Sequence, residues 1–180
     1  MKKFLLIIAI LAIGVFVIAQ NSLILDIKTS GNENIETELI RSLILFEIGE
    51  NYNPEDISES ISNLYQLGVF KDIRIEREEL PQGLSILIFV EEFPIVDQIE
   101  LSGNKKLSDK NIRDKINLKK GSYWSPFLAS EVSKTITDEY KTKGYHLTEV
   151  EYNIEELEGN HVSVKLDIIE GSKVAIKSIN

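Results

Sequence analysis

The chain says the same thing twice. Ser30-Gly31-Asn32 returns as Ser102-Gly103-Asn104, and Gly49, Tyr52, Asn53 and Pro54 return as Gly121, Trp124, Ser125 and Pro126, all at an offset of 72. Ile61 and Tyr65 match Ile136 and Tyr140 at 75, and Gly68 matches Gly144 at 76. Ile86, Ile88 and Val90 match Val164, Leu166 and Ile168 at 78. The offset only grows, as it does when one fold is used twice with short insertions, and that excludes a single undivided core spanning the whole chain. Each copy holds roughly 70 to 78 residues, near the lower limit for a self-sufficient core.

Each copy reads strand, helix, helix, strand, strand. Leu23, Leu25 and Ile27 alternate with Asp26 and Lys28, and Ile99 and Leu101 flank Glu100; this is the period of a half-buried strand. Ser-Gly-Asn then reads as a turn in which Gly and Asn supply positive φ. A first helix follows, with Ile35, Leu39, Ile40 and Leu43 at helical spacing behind Asn34 as N-cap, and in the second copy Ile112 and Ile116 behind Ser108. The second helix has the clearest start: Asn53-Pro54-Glu55-Asp56, repeated as Ser125-Pro126, offers a cap, Pro in the first turn and, in the first copy, acids facing the dipole. Ile57, Ile61 and Leu64 form one apolar stripe, and Leu128, Val132, Ile136 and Tyr140 the other. Gly68 and Gly144 stand where a left-handed C-terminal cap belongs.

A hairpin closes each copy. The first runs over 71–77, turns through 79–83 and returns over 84–91; the second runs over 147–155, turns near 158–160 and returns over 161–169. The returning strand Leu84-Ser85-Ile86-Leu87-Ile88-Phe89-Val90 is nearly all apolar, whereas Asp72-Ile73-Arg74-Ile75-Glu76-Arg77 alternates and is charged. Apolar continuity marks a central strand and charge an edge. The expected fold is therefore α+β: two tandem βααββ domains, each a three-stranded mixed sheet with its last strand central and two helices on one face. The expected domains are 22–92 and 94–171, joined at Glu92-Phe93-Pro94, with 173–180 as the truncated start of a third unit.

Met1-Lys2-Lys3, the unbroken apolar run from Phe4 to Ile18, and Ala19-Gln20 read as an export signal over 1–19 cleaved between Ala19 and Gln20. The run is shorter than the about 20 apolar residues of a spanning helix. Net charge is −9, and cleavage removes Lys2 and Lys3 as well. So acidic a surface repels a phosphate backbone, which argues against nucleic acid as a partner. With no cysteine, disulfides, thiolate catalysis and lipid attachment at a cysteine are excluded.

The joint pattern of Ser-Gly-Asn after the first strand, Tyr-Asn-Pro at 52–54, Leu-Gly-Val-Phe at 67–70 and Val-Glu-Glu-Phe-Pro at 90–94 resembles POTRA domains. An array of them behind a signal peptide resembles the periplasmic part of the outer membrane protein assembly factor (BamA) family. The chain departs from the pattern in having Glu36 where Ser or Thr caps the first helix, and Ser172 where Pro is common. The resemblance implies further units and a C-terminal membrane β-barrel, attachment to the outer membrane from the periplasm, and unfolded outer membrane proteins and accessory assembly proteins as partners. A two-partner secretion or TamA-like channel and an FtsQ-like cell-division scaffold share the same unit.

The residues offer little chemistry. His146 and His161 have no partner at metal-ligand spacing, and Glu91-Glu92 and Glu155-Glu156, as strand neighbours, point to opposite faces; they read as surface charge. Tyr52 and Trp124 read as hydrophobic staples ahead of the caps. No nucleophile motif is present, so the expectation is a binding module without cofactor rather than an enzyme. Binding would use unpaired main-chain groups on edge strands, to which an extended peptide adds. The candidate edges are Lys71, Asp72, Ile73, Arg74, Ile75, Glu76 and Arg77, and Leu147, Thr148, Glu149, Val150, Glu151, Tyr152 and Asn153.

Overall fold

The structure, a computed structural model, describes residues 22–173. The signal with its Ala19–Gln20 junction lies outside the described residues, as do positions 174–180 of the expected third unit. In chain order the elements are β1 (Ile24–Ser30), α1 (Thr37–Leu43), α2 (Pro54–Gln66), β2 (Phe70–Leu80), β3 (Gly83–Glu92), β4 (Ile95–Ser102), α3 (Asp109–Arg113), α4 (Pro126–Thr142), β5 (Glu149–Leu157) and β6 (His161–Ile169). Strands form two sheets of order β1-β3-β2 and β4-β6-β5. In each the central strand pairs parallel with the first and antiparallel with its hairpin partner, giving the expected mixed sheet. The irregularity between Ile24 and Asp26 recurs between Val96 and Gln98, at the repeat's own offset.

Two separate cores follow. Leu84, Ile86, Ile88 and Val90 on one face of β3 pack with Ile40, Ile57 and Leu64 of the helices. Val162, Val164, Leu166 and Ile168 of β6 pack with Ile112, Leu128, Val132, Ile136 and Tyr140. The offset grows through the second helix because α4 has 17 residues and α2 has 13.

The helix starts are built as read, save one. Asn53 Oδ1 accepts from Glu55 N–H at 3.1 Å, Ser125 Oγ from Leu128 N–H at 3.1 Å and Ser108 Oγ from Asn111 N–H at 3.3 Å. The exception is α1, which begins after Glu36 and has no side-chain cap; Asn34 lies outside it. α4 ends on Gly144 at φ 89, with Gly144 N–H donating to Lys141 O and Tyr145 N–H to Tyr140 O, the doubly bonded left-handed stop. α3 is shorter than its spacing indicated, and Ile116 is buried beyond its end.

The Ser-Gly-Asn turn divides its labour differently from expectation. The glycines have positive φ, 85 at Gly31 and 78 at Gly103, and the asparagines do not. Asn32 Nδ2 instead donates to Ile35 O at 2.8 Å, and Asn104 Nδ2 to Leu107 O at 3.0 Å, folding the loop toward the helix. A Cβ on Gly31 would lie 2.1 Å from Val90 O, and one on Gly103 2.0 Å from Ile168 O, so the turn rests on the last strand's backbone. The first hairpin is also tighter than expected. Its strands pair as far as Leu80 and Gly83, leaving Pro81 and Gln82 as the turn.

Gly103→Ala adds backbone strain and a clash with main chain that cannot rotate away. It is expected to lower stability by about 2–3 kcal/mol, read as a lower urea midpoint with unchanged slope.

Candidate functional site

A three-stranded sheet has two margins, and buried or not, their main-chain groups need partners. In each sheet the chain itself pairs the start of the first strand's outer margin. Ile24 N–H donates to Glu50 O and Gly49 N–H to Ile24 O, both at 2.8 Å, while Tyr52 N–H donates to Ser22 O at 2.7 Å. In the second sheet Val96 N–H donates to Ser122 O, Gly121 N–H to Val96 O and Trp124 N–H to Pro94 O, each at 2.8 Å. Further along, the Arg41 guanidinium donates to Ile27 O, and Arg113 donates to Ile99 O at 2.8 Å. The loop before the second helix thus serves as a short fourth strand.

The opposite margins belong to β2 and β5. Among the described residues no main-chain group bonds either strand from outside its sheet. Residues 71–77 all lie in β2, as expected. One of its outward groups is occupied: Ile73 N–H donates to the Tyr65 hydroxyl at 3.2 Å. Because N–H groups alternate in direction along an antiparallel strand, Ile75, Arg77 and Glu79 point the same way as Ile73. On the solvent face Arg74 bonds Asp72 at 3.0 Å and Glu76 at 3.5 Å, with its guanidinium carbon 4.2 Å from the centre of the Phe89 ring.

In the second unit the expected edge is misplaced at its start. Leu147 and Thr148 precede β5, which runs from Glu149 to Leu157. The cause is the turn after α4: the buried Thr148 hydroxyl is 3.1 Å from Tyr145 O and 2.9 Å from Glu170 O, pinning the chain before it can extend. Glu149, Val150, Glu151, Tyr152 and Asn153 lie in the strand as expected. Val150, Tyr152 and Ile154 pair with the buried Ile168, Leu166 and Val164, so they stand on the helix side. There α4 does not reach far enough: Tyr152 is 47% exposed and Ile154 45%. The Tyr152 ring meets the buried Trp124 edge-on, centroids 5.4 Å apart. Trp124 is therefore core, and Tyr52, its equivalent, is half-buried with Arg77 over its ring at 5.2 Å.

Behind β5, Asp167 on β6 draws the sheet together. It accepts from the Ser102 hydroxyl of β4 and from Asn153 Nδ2 of β5 at 3.1 Å. The Ser102 bond, with help from Lys165 and Asn153, holds its carboxyl below the usual carboxylate range.

Glu92 is not the surface charge that its neighbour Glu91 suggested. It is 4% exposed, and its carboxylate accepts from the N–H groups of Glu33, Asn34 and Ile35 at 2.9 to 3.1 Å. Glu170 repeats the device, accepting from Lys106 N–H at 2.5 Å and the Tyr140 hydroxyl at 2.9 Å. Burial, then Glu170, pushes that phenol well above its ordinary range. The signal was available in the sequence, since Glu92 and Glu170 share the hairpin's offset of 78. Glu155 and Glu156 are exposed. His146 lies in the turn before β5, and His161 Nδ1 opens β6 at 3.5 Å from Asp97.

A family model for POTRA, described as surface antigen variable number repeat, matches residues 23–92 and 94–171. The chain belongs to the POTRA family. The outer membrane protein assembly factor BamA of Nitratidesulfovibrio vulgaris is 25% identical over 157 residues, 87% of this chain and 20% of that protein. BamA of Buchnera aphidicola is 28% identical over 170 residues, 92% of this chain and 27% of that protein. The chain thus spans a minor part of these relatives. Among solved structures, the N-terminal domain of Omp85 from Thermosynechococcus elongatus superposes with a TM-score of 0.57 at 17% identity, over 80% of this chain and 61% of that one. POTRA1-2 of the periplasmic domain of Omp85 from Anabaena gives 0.52 at 20% identity, over 83% of this chain and 96% of that one. These likenesses are of fold.

In these POTRA units the Tyr65 hydroxyl competes for a group that an added strand would need. Tyr65→Phe removes that partner and is expected to speed hydrogen exchange of the Ile73 amide at least several-fold, with little change at Ile88, whose N–H lies within the sheet.

Proposed function

We propose that this chain is the periplasmic binding part of an outer membrane β-barrel assembly factor. It receives unfolded outer membrane proteins by strand addition at β2 and β5, docks accessory assembly proteins, and works beside a C-terminal barrel of the same full-length protein. The observation that supports the reading is the asymmetry of the margins: each unit pairs the start of one with its own loop, and among the described residues no main-chain group from outside the sheet bonds the other. Main-chain pairing is indifferent to sequence, which suits a receiver of many clients. Names of relatives point the same way, since the curated proteins it resembles are outer membrane protein assembly factors. The mode of action is lending main-chain hydrogen bonds, with no bond made or broken, and a cofactor has no part in it.

The two receiving stretches differ from the sequence-based ones. In the first unit the available margin begins past the occupied Ile73 N–H; in the second it is Glu149–Leu157. Charged side chains on their solvent faces discourage uncontrolled edge-to-edge pairing while leaving the ladder available.

Peptides copied from barrel strands, titrated into isotopically labelled protein, are expected to shift amides of β2 from Ile75 onward and of Glu149–Leu157. Ile24 and Val96, already paired, are expected to stay put. Shifts absent from both outer strands would sink strand addition.

A further inference from the structure

The two free margins are not equivalent. On β2 the solvent-face row Asp72, Arg74, Glu76 and Glu78 has a cation in its middle, Arg74 pairing with both Asp72 and Glu76. On β5 the same face carries Glu149, Glu151 and Glu155, and none of them is in an ion pair with a described residue. On the other face of β5 the apolar Tyr152 and Ile154 are about half exposed. Tyr152 and Ile154 border a groove of about 660 Å³, lined by Trp124 and by Phe93 and Pro94 of the inter-unit link and, at its charged part, by Lys71, Glu91 and Glu156. The link is held there by Ile95 N–H donating to Asn160 O at 2.9 Å and by Asn160 Nδ2 reaching Glu92 O at 3.4 Å.

Side chains of an added strand alternate in step with those of the strand they join. Residues beside Tyr152 and Ile154 would enter the groove. Residues between them would stand next to Glu151 and Glu155, where another acid is repelled and a cation attracted. Glu156, paired with Val162 on the groove side, ends the apolar row.

We infer that β5 is selective: it takes an amphipathic extended segment with apolar residues at alternate positions and Lys or Arg at the intervening ones. This rests on the strand-addition reading and adds to it a side-chain code and a preferred unit. Charge complementarity identifies the occupant, because the exposed row is acidic within a chain of net charge −9. β2 has no counterpart, since Arg77 occupies the place that Ile154 holds in β5, each pairing with the equivalent core residue, Ile86 or Val164.

The test uses three short synthetic peptides: Val alternating with Lys, Val alternating with Glu, and the Val–Lys composition in block order. Amide shifts and affinities are followed by NMR on the whole chain. The Val–Lys peptide is expected to bind at Glu149–Leu157 about tenfold tighter than Val–Glu, and less tightly as salt rises. The block-order peptide is expected to bind weakly, because it cannot place apolar groups in the groove without burying lysines. The double variant E151K/E155K, changed only on the exposed face, is expected to reverse the Lys–Glu preference. Equal affinities for the Lys and Glu peptides, equal binding of the block-order peptide, or shifts at β2 alone would overturn the selectivity and leave strand addition standing. No shift at either margin with any peptide would overturn both.

Discussion

Each half of this chain pairs the start of one sheet margin with its own loop. The pairs Ile24–Glu50 and Gly49–Ile24, repeated as Val96–Ser122 and Gly121–Val96, tie the loop to the start of β1 and β4. The position of the central strand dictates the rest. β3 and β6 are spent on both sides, and among the described residues β2 and β5 are the outer strands that no loop of the chain pairs. The proposed activity follows from hydrogen-bond accounting before any side chain is considered.

The loop ahead of the first helix in each half is held by a carboxylate at the end of the central strand. Glu92 gathers three consecutive N–H groups ahead of α1, and α1 in turn carries Arg41 to the Ile27 carbonyl. Hydrogen bonds to a charged acceptor are worth about 1.5–3 kcal/mol each, enough to hold a loop that has no helix cap of its own. In the second unit Glu170 takes one N–H, that of Lys106, and the Tyr140 hydroxyl. Glu92 also ends β3 immediately before the link, so the acid that orders the first unit anchors the point from which the second departs.

Much of this was legible in the sequence because periodicity reports burial. The near-continuous apolar run 84–90 indicated a central strand, and the charged alternation of 71–77 an edge, since each pattern reflects how many faces a strand hides. Capping at Asn53, Ser108 and Ser125 was legible because it is local. What escaped depends on contacts between distant residues. Glu92 looks like its exposed neighbour Glu91 until the loop at 33–35 folds over it. Leu147 and Thr148 have strand-like composition, but Thr148 is held by carbonyls on either side of it in space, 3 and 22 residues away in sequence. The pairing at the start of the β1 and β4 margins left no composition signal at all, because main-chain pairing by Glu50 or Ser122 does not require their side chains.

The claim that the chain's own loop pairs the start of one margin in each unit, while β5 has no such partner, is open to native-state hydrogen exchange on the chain without ligand. The account predicts that the amides of Ile24 and Val96 are protected close to the level of the sheet interior, while alternate amides along β5 exchange at rates near those of unstructured chain. Uniform protection along β5, or rapid exchange at Ile24 and Val96, would contradict it.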